Sequence, residues 1–129
     1  MPVLSMFDSN IIIDALNRHR PAFDALKAFS DGATMISRIS WIEIVAGARP
    51  DHLAATEAYL RGCTVIELTP DIAGRAAEVR RQTRLKLPDA IILATALITD
   101  RQLVTRDRNF PPDWPGIHHP YEWAAKPEP

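Results

Sequence analysis

Short apolar runs of strand composition alternate with helix-patterned stretches along this chain, and that alternation restricts its fold more than any single residue does. Residues 2–8 read as a buried strand, and Ser9-Asn10 offers N-cap chemistry for a helix over 11–17. Pro21 opens a second helix over 22–29, with Phe23, Leu26 and Phe29 on one face. After an Asp31-Gly32 turn, residues 33–36 form a short strand. A helix then begins at Ser37 or Ser40 and runs to about residue 46, where Gly47 and Pro50 stop it. An amphipathic helix over 51–61 ends at Gly62, and residues 63–68 are the third strand. Thr69-Pro70 starts a helix reaching about residue 84. Leu87-Pro88-Asp89 starts another, apolar almost all round and so expected to be central, reaching about residue 98. Residues 102–105 are the next strand, and a short edge strand is expected near Ile117-His118. Strands separated by helices argue for a parallel sheet covered by helices, an α/β architecture.

A chain of 129 residues suffices for one domain with its own core, expected over 1–125 with a loose tail at 126–129. Cys63 stands alone, so no internal disulfide forms and a reducing cytoplasm is the default. No apolar run approaches the ~20 residues of a membrane helix. The start MPVLSMFDSN lacks the basic region and small-residue cleavage site of a signal peptide, so none is expected. There is no Gly-rich phosphate loop, and no histidine has zinc-site spacing.

Four acids stand at the edges of apolar segments. Asp8 ends the first strand, Glu43 lies between Trp41-Ile42 and Ile44-Val45, Asp89 sits at the start of the apolar helix, and Asp107 follows the strand Leu103-Val104-Thr105. Each has an ordinary role available. Asp8 could cap a helix, Asp89 could complement a helix dipole, and Asp107 could form a turn. Ser40-Trp41-Ile42-Glu43 matches a capping box. That last role disappears if the helix starts at Ser37, the start favoured because Arg38-Ile39 continues the helical pattern.

Taken together, the four acids are harder to dismiss. Such a fold gathers the carboxyl ends of strands into one crevice, where ligands bind. Four carboxylates meeting there repel, so a cation is the natural reason for them. An all-oxygen donor set selects Mg²⁺ or Mn²⁺. Setting these four aside, twelve acids face fifteen bases, twelve of them arginine. That exterior suits a polyanion held near a metal, although codon bias towards arginine explains the count equally well.

These residues resemble the PIN-domain nucleases, and among them the VapC-like toxins of toxin–antitoxin pairs. The resemblance rests on Asp8-Ser9-Asn10, Ser40-x-x-Glu43, Leu87-Pro88-Asp89-Ala90 and Thr105-x-Asp107-x-Asn109-Phe110, in that order along residues 3–110. It implies a PIN-like α/β fold with a central, mostly parallel sheet of four or five strands flanked by helices. It implies Asp8, Glu43, Asp89 and Asp107 as metal-binding, catalytic acids, supported by Thr105, Asn10 and Asn109. It further implies an endoribonuclease that uses Mg²⁺ or Mn²⁺ to cut structured RNA of the tRNA or rRNA class. Such toxins form homodimers and are held inactive by an antitoxin segment bound in a groove near the acids, for which Leu53, Tyr59 and Leu60 are either candidate contacts or core residues.

Arg38, Arg106 and Arg108, close to the acids, are the phosphate-binding candidates, whereas Arg80, Arg81 and Arg84 read as a solvated helix face. Two other readings compete. One is a non-catalytic RNA- or protein-binding module on the same fold. The other is a receiver domain or phosphatase, for which the adjacent acids, the late lysine and the Asp-x-Asp motif are all missing.

Overall fold

The computed structural model describes residues 3–111, 114 and 116–122. Along the chain run β1 (Ser5–Phe7), α1 (Ser9–Leu16), α2 (Arg20–Phe29), β2 (Met35–Ser37) and α3 (Arg38–Gly47). A 3₁₀ turn (Pro50–His52) leads into α4 (Leu53–Arg61), followed by β3 (Thr64–Ile66), α5 (Pro70–Gln82), α6 (Leu87–Ile98), β4 (Gln102–Val104) and β5 (Ile117–His118). Every strand pairing is parallel. β4 lies between β1 and β5, with Phe7 opposite Val104 and Leu103 opposite Ile117, while β2 pairs β3 with Ile36 opposite Val65.

Side-chain alternation along the strands fills a core on each face of the sheet. Phe7 and Val104 point into a core shared with Ile11, Ile12 and Ile36, whereas Met6 and Leu103 point the other way, towards Val79, Ile92 and Phe110. Among the described residues, no helix is long and apolar enough to cross a membrane.

Helix starts follow local chemistry. The Ser37 hydroxyl accepts from the Ser40 amide at 3.0 Å, so α3 begins at Arg38 and Glu43 lies well inside it, out of reach of a capping box. Thr69 caps α5 by accepting from the Ile72 amide at 3.2 Å, with Pro70 in the first turn. Asp8 itself caps α1, so the helix starts at Ser9, two residues before the expected start at Ile11.

Several expectations need correction. The strands are three residues long or shorter, so the runs over 2–8 and 63–68 are mostly connection: Val3 and Leu4 are exposed, and β3 stops at Ile66. The five parallel strands fall into two hydrogen-bonded sheets, β1-β4-β5 and β2-β3, because among the described residues β1 and β2 lie side by side without a backbone ladder between them. On α2 the core face is Ala22, Ala25 and Leu26, and Phe23 is exposed, because α2 packs on α1 through its small residues. α5 ends at Gln82, where the Thr83 hydroxyl bonds back to the Val79 carbonyl. α6 is buried through its middle, but Leu87 and Ile98 at its ends are exposed. Leu60 and Tyr59 belong to the core or pack against it, which removes them as contacts for a partner. Trp41 and Trp114 pack against the two cores, while Trp123 and the tail over 126–129 lie outside the described residues.

Candidate active site

The carboxyl ends of β1 and β4 adjoin, and that adjacency assembles the site. Asp8 follows β1 and is 3% exposed. Its Oδ1 accepts from the Ser9 amide at 2.8 Å and its Oδ2 from the Thr105 hydroxyl at 2.7 Å and the Asn10 side-chain amide at 3.1 Å. Thr105, just beyond β4, also accepts from Asn10 Nδ2 at 3.2 Å and from the Asp107 amide at 3.0 Å. The Asp107 carboxylate accepts from the Asn109 amide at 2.9 Å, so Asn109 shapes the turn that presents Asp107. Ser9 does more than start a helix. Its hydroxyl donates to Glu43 Oε1 at 2.9 Å and lies 3.4 Å from Asp8 Oδ1, which links α1 to α3. Sequence reading missed this role, because an N-cap position gives no sign of a partner 34 residues away.

Two of the four acids, Asp8 and Asp89, lie where burial and neighbouring acids disfavour their charged form. Burial, together with the charges of Asp89 and Glu43, raises the Asp8 carboxyl to about 7, against the lowering effect of the Thr105 and Ser9 hydrogen bonds. Half-buried Asp89 rises to about 6, through burial first and then the charges of Asp107 and Glu43, with Lys86 opposing. Each acid therefore feels at least one other. Among the described residues, however, no three His, Cys, Asp or Glu side chains are placed to ligate one ion directly as they stand. The donor set still fits a hard cation that binds through one or two carboxylates and keeps several waters, which is the habit of Mg²⁺.

A pH effect follows in metal-free protein. The folded Asp8 carboxyl holds its proton up to about pH 7, whereas the unfolded chain releases it near 3.8. Between those values the folded state binds more protons, so stability falls as pH rises from about 4 to 7, by on the order of a few kcal/mol. Thermal unfolding in chelator across that range should show the fall, and Asp8→Asn should lessen it, the remainder coming from Asp89. Identical pH profiles for the two proteins would contradict this.

The candidate arginines are mostly engaged. Arg38 forms a two-point pair with Glu67, Nε to Oε1 at 2.9 Å, and lies 5.2 Å from the Trp41 ring centre. Arg106 is held by buried Asp14, with Nε donating at 2.6 Å and a second nitrogen at 3.2 Å. Arg108 is exposed, with only a loose 3.4 Å contact to Glu122. An open groove of about 440 Å³ lies away from Asp8, at the opposite end of α1, lined by Ile13, Leu16, Ile44, Arg18, Arg49 and His52 among others.

The PIN domain family model matches residues 5–111, which include all four acids. The chain belongs to the PIN-domain family. Within it the relation is to VapC-like proteins. This PIN domain is 32% identical over 126 residues to ribonuclease VapC19 of Mycobacterium tuberculosis, a match covering 92% of this chain and all of that one. It also matches a chain of a toxin–antitoxin complex from Klebsiella pneumoniae at 40% identity and a TM-score of 0.85, covering 92% of this chain and 99% of that one. A VapBC2 structure from Rickettsia felis, bound to a promoter DNA fragment, shares the fold alone: 19% identity and a TM-score of 0.68 over 81% of this chain and 87% of that one.

Proposed function

We propose that this PIN domain is a Mg²⁺- or Mn²⁺-dependent endoribonuclease that cuts structured RNA of the tRNA or rRNA class and acts in the cytoplasm as the toxin of a toxin–antitoxin pair. The observation that carries the reading is a buried carboxylate, Asp8, coupled by charge to Asp89 and Glu43, on a chain 32% identical to a ribonuclease along nearly its whole length. Placing a buried carboxylate beside half-buried, mutually repelling acids is costly unless a cation is to be held there.

In this reading Asp8 and Asp89 hold the ion, and Asp107 and Glu43 reach it directly or through water. A bound divalent cation acidifies a water and relieves charge on the phosphoryl oxygens. Thr105 and Asn10 fix the orientation of the Asp8 carboxylate, Ser9 fixes that of Glu43, and Asn109 fixes that of Asp107. Arg108, loosely paired at the surface, is the side chain best able to turn towards a phosphate. The groove between α1, α3 and α4 lies away from the acids and not beside them as expected, and its lining of Ile13, Leu16, Ile44 and Arg18 would suit an antitoxin segment that mixes aliphatic and acidic side chains. A homodimer is expected, and sedimentation would test it.

The deciding experiment incubates purified protein with total RNA. Cleavage should stop with EDTA and return with excess Mg²⁺ or Mn²⁺. Cleavage indifferent to the chelator would refute the metal-dependent reading. RNA binding without cleavage in Mn²⁺ would establish a non-catalytic module instead.

A further inference from the structure

A second carboxylate on α1 is buried and lies outside the acid cluster. Asp14 accepts three hydrogen bonds: Arg106 Nε at 2.6 Å, a second Arg106 nitrogen at 3.2 Å, and the Tyr121 hydroxyl at 2.6 Å. Its partners lie 92 and 107 residues away in the chain, one in the loop after β4 and one in the C-terminal segment. Burial and the bond to Asp14 hold the Tyr121 phenol well above its ordinary range, so it remains a donor. The ring of His19, which precedes α2, meets the Tyr121 ring edge-on at 5.1 Å.

Arg106 stands between Thr105 and Asp107. Its backbone amide donates to the Asn10 side chain at 3.3 Å, and Asn10 in turn donates to Asp8 and Thr105. The C-terminal segment grips the same loop from its other side. The Thr105 amide donates to the His118 carbonyl at 3.0 Å, and His119 Nδ1 meets the Thr105 carbonyl at 2.8 Å. The loop that presents Thr105 and Asp107 is therefore clamped between two residues of α1, Asn10 and Asp14, and the segment carrying Tyr121.

We propose that Asp14, Arg106 and Tyr121 are positioning residues: together they form a buried brace that sets the Thr105–Asp107 loop against α1, and Arg106 serves this brace instead of contacting the substrate. Arg106 suits the role because a guanidinium can hold both carboxylate oxygens at fixed angles, which a lysine cannot. A displacement of about 1 Å at a reacting centre costs on the order of 10²-fold in rate, so a loose brace would act on turnover and leave substrate affinity intact. The kinetic part of this proposal rests on the nuclease reading; its mechanical part does not.

The test compares Arg106→Lys, Tyr121→Phe and the double variant with wild type in hydrogen exchange and in RNA cleavage. Exchange over residues 105–110 should quicken by about tenfold in each single variant, while α4 remains unchanged. In cleavage, kcat should fall by about tenfold with KM within about twofold. The double variant should be little worse than the more severe single one, as expected for parts of one unit. Unchanged exchange over 105–110 would overturn the brace. An Arg106→Lys variant with a raised KM and an intact kcat would make Arg106 a substrate contact, which also overturns it. Asp8→Asn serves as the control in the same assay. If it still cleaves, the nuclease reading fails, and the exchange data alone decide the brace.

Discussion

Asp8→Asn should leave RNA uncut by a protein that is still folded. Asparagine matches aspartate in size and is an equally good helix N-cap, so α1 keeps its start and the Ser9 amide keeps an acceptor. What disappears is the buried negative charge on which the site centres. In the proposed reading Asp8 is a principal cation ligand, and losing one forfeits several kcal/mol of transition-state charge stabilisation, on the order of 10³-fold or more in kcat/KM. Growth arrest on induction should vanish with the cleavage. In chelator near pH 7 the variant should unfold near the wild-type temperature, since relief from burying a carboxylate offsets the loss of the bonds that Oδ2 accepts from Thr105 and Asn10. An active variant would end the claim that Asp8 holds the ion. An inactive but unfolded one would shift the explanation to the helix cap.

The largest expected loss of stability comes from Phe110→Ala. Phe110 closes the loop that begins at Thr105, is fully buried, and packs in the core of Met6, Val79, Leu93 and Leu103. Truncating such a ring costs about 3–5 kcal/mol through lost burial and the cavity left behind. That is about a fifth or more of the stability of a typical domain. Urea unfolding should show a lower midpoint with little change in slope. The buried ring also anchors the loop that carries Asp107, so cleavage should fall even where the variant remains folded. A loss below about 1 kcal/mol would mean that the surrounding core closes the gap unaided.

The readable parts of this chain were those with a local cause. Ser37 and Thr69 show their capping role within three residues, and structure bears out both. The edge strand at Ile117-His118 was legible between turn-forming neighbours. Asp8, Asp89 and Asp107 stand out because each borders an apolar run, which puts them on the sheet's carboxyl edge or at the start of a buried helix. The rest depends on contacts that no local pattern encodes. Helical spacing selects Phe23, Leu26 and Phe29 as an inner face, yet close packing of α2 on α1 prefers Ala22 and Ala25 and turns Phe23 outward. Asp14 follows Ile11-Ile12-Ile13 and reads as an ordinary polar position, but its partners arrive only when the chain's far end folds back. Arg38 and Arg106 sit beside site acids in sequence, yet Glu67 and Asp14 take up their guanidinium groups.

Asn10 and Asp14 lie four residues apart on α1, so one helical turn sets the distance between the point that steadies Asp8 and the point that grips Arg106. The helix works as a ruler with two marks. Inserting or deleting a single residue between them would turn one mark about 100° away from the other. The outer residues of α1 are thus free to vary in kind, but the count between these two is fixed.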